Sequence, residues 1–249
     1  AYANPALTPH EKLNVSLALL RVDPTSAEDA YEQLLQAIPD AVPVISAELT
    51  PYKDRLLPRL WEVATSATKE QAGERLRAAS ALATFDPDGE GWTTLGQVLA
   101  DQLVQENPLF SRTWIESLRP VKSKLLSPLA SIYRDRHSSE IERTMATNFL
   151  SDYAADTPEL LAELLMDADE KQFAAIFPKF SEQSERGAPI LEKEIERSVL
   201  ETRDDEKEWL AKHQANAAVA LLRLKRSAKI WPLLKHSADP RARSYLIHK

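Results

Sequence analysis

Residues 11–24 read EKLNVSLALLRVDP and residues 74–87 read ERLRAASALATFDP, so Glu, Leu, Ala, Leu, Asp and Pro recur in register between the two stretches. The phrase returns in weaker form as ERTMATNFLSDYAAD over 142–156 and HQANAAVALLRLKR over 213–226. Leu19, Leu82, Leu150 and Leu221 are its matching anchors, and they follow one another at near-even intervals. Self-similarity at a near-fixed period marks units that stack on one another rather than close around one core. The expectation is an all-α, right-handed α-α superhelix, a solenoid of about fifteen helices, forming a single repeat domain over 1–249.

Between the anchor phrases lies a second repeated text. Ile45, Leu49, Pro51, Leu56, Leu57, Leu60 and Val63 match Trp114, Leu118, Pro120, Leu125, Leu126, Leu129 and Ile132, every one by the same displacement along the chain. The spacing of Leu56, Leu60 and Val63 gives an amphipathic helix with one apolar stripe. Each long period then holds four helices. The chain reads as helices over 9–22, 26–38, 42–50, 54–66, 70–85, 92–106, 109–119, 123–135, 139–155, 157–166, 169–181, 187–201, 206–226, 228–237 and 239–249. Asp23-Pro24, Asp86-Pro87, Thr157-Pro158 and Asp239-Pro240 supply a cap and a proline where a new helix begins. The array opens without the partner of its first helix and shows no polar capping unit at either end, so a segment of a longer protein is expected. Leu13, Leu20, Tyr245 and Leu246 are then expected to be under-buried.

Composition supports the helical reading and narrows the chemistry. Only five glycines occur in 249 residues, and Gly costs about 1 kcal/mol relative to Ala inside a helix. The absence of cysteine excludes disulfides, thiolate metal sites and cysteine nucleophiles. No apolar run reaches the ~18 residues that span a bilayer, and the first residues carry no signal-peptide pattern. No membrane association and a cytoplasmic location are expected. A net charge of −7 argues against a phosphate-binding surface and hence against a nucleic-acid partner.

The repeats resemble a known family. Arg75-x-x-Ala78-Ala79-x-x-Leu82 resembles the second helix of a HEAT repeat, and Arg143-x-x-Ala146-x3-Leu150 keeps its Arg, first Ala and Leu. WPLLKHSADPRAR over 231–243 is similar to a whole HEAT turn, ending on Arg243. Gln214 replaces the Arg in the last copy, and Phe173 sits where Arg243 sits in its own unit. The landmarks NPLF, WIESLRPV, LLAELL and KQFAAIFP between 107 and 180 look like the HEAT-like region of large bacterial multidomain proteins. That family joins a serine/threonine protein kinase domain to a formylglycine-generating-enzyme-like domain. The resemblance implies a non-catalytic protein-interaction or interdomain scaffold, with a protein partner or neighbouring domains of the same chain. It supplies no catalytic residue.

Local motifs add no chemistry. His10-Glu11 lacks the second His of a zincin because position 14 is Asn. Asp86-Pro87-Asp88-Gly89-Glu90-Gly91 opens like a calcium loop but lacks the later ligands, so it reads as a turn between helices. No catalytic, cofactor-binding or metal-binding residue is assigned. The five tryptophans read as packing between helices. If Ala78, Leu82 and Phe85 face the core, the other side of that helix carries Arg77, Ser80 and Thr84. Matching rows add Asn14, Arg21, Asn148, Asp152, Asn216 and Arg223, the candidate interaction face along a concave side. Arg75, Arg143 and Arg243 read as structural residues of the repeat, with Arg75 and Arg143 tying neighbouring units together. A second class stays open, the HEAT-like DNA glycosylases, with Asp152 in the acidic role. The missing rows of Lys and Arg count against it.

Overall fold

The structure is a computed structural model that describes residues 26–65, 71–197, 203–235 and 239–248. Among these residues the regular elements are fourteen α-helices and four short 3-10 helices, with no strand. In order the α-helices are α1 Ser26–Gln36, α2 Val42–Leu49, α3 Lys53–Thr65, α4 Ala72–Phe85, α5 Trp92–Leu103, α6 Ser111–Ser117 and α7 Lys122–Arg134. They continue as α8 Glu140–Tyr153, α9 Pro158–Asp167, α10 Glu170–Glu182, α11 Ser184–Glu196, α12 Asp204–Arg223, α13 Trp231–Leu234 and α14 Arg241–Ile247. Each overlaps a helix expected from the periodicity, α11 least closely, since it begins at Ser184 and ends at Glu196, where Arg197 takes extended backbone. The helix expected over 9–22 lies outside the described residues.

Two differences at the helix ends have local causes. The element expected over 109–119 starts as the 3-10 turn Pro108–Phe110, because Pro108 has no N–H to donate and the Asn107 side chain accepts from Leu109 N–H. In the helix expected over 228–237, the described residues form α13, which stops where Lys235 takes extended backbone. Ahead of it, α12 ends with Lys225 in the left-handed region at φ 61. Lys225 N–H donates to the Leu222 carbonyl and Arg226 N–H to the Leu221 carbonyl, which together form the Schellman closure that glycine normally occupies.

Proline sits at the same kind of turn in both copies of the second repeated text. The 3-10 helices Pro39–Ala41, Thr50–Tyr52, Pro108–Phe110 and Arg119–Val121 each begin with a proline in the first two positions. The first two flank α2 and the last two flank α6, so the second repeated text folds twice into the same element order.

The chain divides into two compact units, one up to Pro128 and one from Leu129. In the first, α4 packs against α1, α2, α3 and α6. Ala78 and Leu82 are fully buried, as the register predicts, with Leu34, Ile45, Leu56 and Leu60 in the same core. The loop after α4 is a packed turn: Asp86 carboxylate accepts from Trp61 Nε1, and Asp86 carbonyl accepts from Trp92 Nε1. Trp61 lies so close to Gly91 that a Cβ there would stand 2.5 Å from its ring. In the second unit α12 packs against α9, α11 and α14, while α10 packs against α8 and α9. Phe149, Leu150, Leu161, Leu165, Ile176, Leu191 and Leu221 form its fully buried apolar centre.

Burial corrects two expectations. Leu246 is covered, and Tyr245 is half-buried with its hydroxyl bonded to Glu208, while Leu13 and Leu20 lie outside the described residues. Not every tryptophan is packing: Trp92 and Trp114 are buried, but Trp231 is 61% and Trp209 46% exposed.

Candidate interaction clefts

In the second unit the site is built on the end of α9. Its last carbonyls have no partner within the helix and need donors from elsewhere. Asn216, on α12, donates through Nδ2 to the carbonyls of Met166 and Ala168, both at 2.9 Å. Tyr133 hydroxyl donates to the Leu164 carbonyl at 2.6 Å, and burial pushes that phenol well above its ordinary range. Gln172 then donates to the Tyr133 carbonyl while its Oε1 accepts from Asp169 N–H in the capping box of α10.

Charged groups continue the network. Asp167 lies 2.8 Å from His213 Nε2 and accepts from Arg134 Nε at 2.5 Å. Burial alone would raise its carboxyl, but the bonds from His213 and Arg134 outweigh it and hold the group below the usual carboxylate range. Trp209 sits one helical turn before His213 and lies against its ring, with centroids 3.7 Å apart, and Arg197 lies over the indole. Arg143 donates from Nη1 to Asp169 Oδ2 at 2.8 Å.

Above this floor opens a cleft of about 470 Å³, with Arg136, Lys212 and Tyr245 at its edge. A second recess of about 310 Å³ shares Arg143, Asp169 and Gln172 with it and reaches Asn148 and Lys171. The lining of the larger cleft holds a carboxylate–imidazole pair but no Ser, Thr or Cys. What this arrangement does directly is hold helix ends and present paired charges. Among the described residues no group of His, Asp or Glu is arranged to hold a metal ion.

In the first unit a groove of about 380 Å³ runs over α4, between α2 and α6 with the turns beside them. Ser80 and Thr84 line its base, with Ser46, Ala47 and Ser117 on the sides and Asp40 and Glu116 among its walls. Thr113 hydroxyl donates to Asp40. A larger recess of about 630 Å³ lies beside Arg75, Asp101 and Gln102.

The expected interaction face is only partly a face. Thr84, Asn148 and Arg223 are exposed, and Arg223 carries its guanidinium over the stacked rings of Phe173 and Phe177. Ser80 and Asn216 are not exposed, at 2% and 3%. The reason is that α4 and α12 are enclosed on several sides, so the side opposite the apolar stripe also meets neighbours. Arg77 is half-buried and gives its Nε to the Ala37 carbonyl at the end of α1. Asp152 is half-buried on α8 and lines none of these clefts. Asn14 and Arg21 lie outside the described residues.

Arg75 is buried and donates to Gln102 Oε1 at 3.4 Å, and Gln102 in turn donates to the Ala72 carbonyl. Arg75 and Arg143 thus both reach from an anchor helix to a following one. Gln214, in the place of that Arg, donates to the carbonyls of Glu194, Ile195 and Arg197 at the end of α11. Arg243 is half-buried on α14. The sequence reading missed the His213–Asp167 pair, which lies far apart in the chain and follows no local pattern. It also missed the Asp169–Gln172 capping box, which its spacing does display.

Comparison with models of known protein families, with curated proteins and with solved structures finds no match. No helix among the described residues is long and apolar enough to cross a membrane.

Proposed function

We propose that this chain is a non-catalytic docking scaffold, a right-handed solenoid of HEAT-like repeats that presents grooves to polypeptide. One observation carries the reading. Arg77 and Asn216 stand at matching positions of α4 and α12, counted from the anchors Leu82 and Leu221. Both donate to the carbonyls that end an earlier helix, α1 in one case and α9 in the other. The same packing unit is built twice, and a stack of such units offers surface rather than a reaction centre. Arg77 and Asn216 are engaged in holding helices, and the spaces beside their helices are open clefts with polar walls. The likeness of 107–180 to the HEAT-like region of bacterial kinase and formylglycine-generating-enzyme-like multidomain proteins supports an interdomain or partner-docking setting.

Fluorescence anisotropy of the purified chain against labelled peptides of differing charge, run beside labelled duplex DNA at two salt concentrations, separates this reading from the glycosylase-like one. Peptide binding with only weak DNA association is expected at physiological salt. Sub-micromolar DNA binding that falls steeply with salt would overturn the scaffold reading in favour of a nucleic-acid-binding solenoid.

A further inference from the structure

We infer that the groove over α4 in the first unit docks a polypeptide segment carrying a lysine or arginine, an assignment that rests on the scaffold reading. Its walls are made of small side chains, Ser46, Ala47, Ser80, Thr84 and Ser117 among them. Small residues on three sides let a main chain approach closely, whereas long side chains would fill a space of about 380 Å³ themselves. The groove also has unused hydrogen-bonding capacity. Ser46 is 2% exposed, and its Oγ, like that of Ser117, is buried with no hydrogen-bond partner. Each hydroxyl is closed off from solvent in the free chain, and turning it toward an occupant that brings N–H and C=O groups relieves the cost of leaving it without a partner. A peptide backbone brings both at regular spacing.

Charge selects the side chain. Asp40 and Glu116 are the ionisable groups of the lining, and the lining contains no cation. Glu116 is paired with Arg112 at 3.0 Å. Asp40 is exposed and accepts from the neutral Thr113 hydroxyl, with no cationic side chain paired to it among the described residues. A cationic side chain on the docked segment supplies the missing charge, and Val44, 56% exposed beside Pro43, offers apolar contact next to it.

The test uses the full chain and two labelled dodecapeptides, one alternating Ala with Lys and one alternating Ala with Glu. Thr84→Trp plugs the groove from an exposed position and Asp40→Asn removes the charge; circular dichroism confirms that both variants fold. The lysine peptide is expected to bind the parent chain, to lose binding to Thr84→Trp, and to bind Asp40→Asn about fivefold more weakly. Lysine-peptide binding unchanged in both variants would overturn the groove assignment while leaving the scaffold reading intact. Glutamate-peptide binding that Thr84→Trp abolishes would overturn the charge assignment, and binding of neither peptide would overturn the inference.

Discussion

Asn216 shows how a residue that reads as surface becomes structural. An amide has two donors and an acceptor, and here one nitrogen serves two carbonyls at the end of α9. Asn216→Ala removes those donors and leaves the Met166 and Ala168 carbonyls without them. A loss of about 1–3 kcal/mol is expected, seen as a lower urea midpoint with an unchanged slope. Asp167, beside it, carries a pH signature. Its carboxyl is held low by His213 and Arg134 in the folded chain, so the charged form is the one that folding favours. The stabilisation is fully present above the unfolded carboxyl value of about 3.9 and is lost as pH falls through the lower folded value. Asp167→Asn should therefore flatten the acid limb of stability against pH. An acid limb identical in parent and variant would show that Asp167 gains nothing from its partners.

At the scale of the element, the ends of helices are where sequence and structure agree least. Helix positions were legible because prolines, caps and the two repeated texts punctuate the chain, and the buried anchors Leu82, Leu150 and Leu221 follow from period alone. The faces were less legible. Periodicity tells which side of a helix is apolar, but Ser80 and Asn216 are polar residues on helices that neighbours enclose, and their environment comes from tertiary packing. The His213–Asp167 pair was illegible for the same reason, since only the packing of α12 on α9 brings the two residues together. The closure of α12 offers a clean test of local backbone cost. Lys225 holds φ 61 where a side chain is disfavoured, so Lys225→Gly should raise stability by about 1 kcal/mol without altering contacts. A lower melting temperature in that variant would mean that the Lys225 side chain contributes more than its backbone strain costs.

At the scale of the whole molecule, the proposal is that one packing unit is written more than once. Few glycines, prolines between helices and repeated leucine anchors favour stacked helices, and the clamps made by Arg77 and Asn216 recur with them. In the proposed stack each unit depends mainly on its nearest neighbours, so damage stays local, whereas a single global core fails as a whole. Hydrogen–deuterium exchange read by mass spectrometry on Leu82→Asp separates these cases, because a carboxylate in that fully buried position destabilises α4 and the helices packed on it. The account predicts lost protection in α1 to α4 and α6 with protection retained in α9 to α12. Equal loss of protection in α9 to α12 would contradict the stacked-repeat reading on which the scaffold function rests.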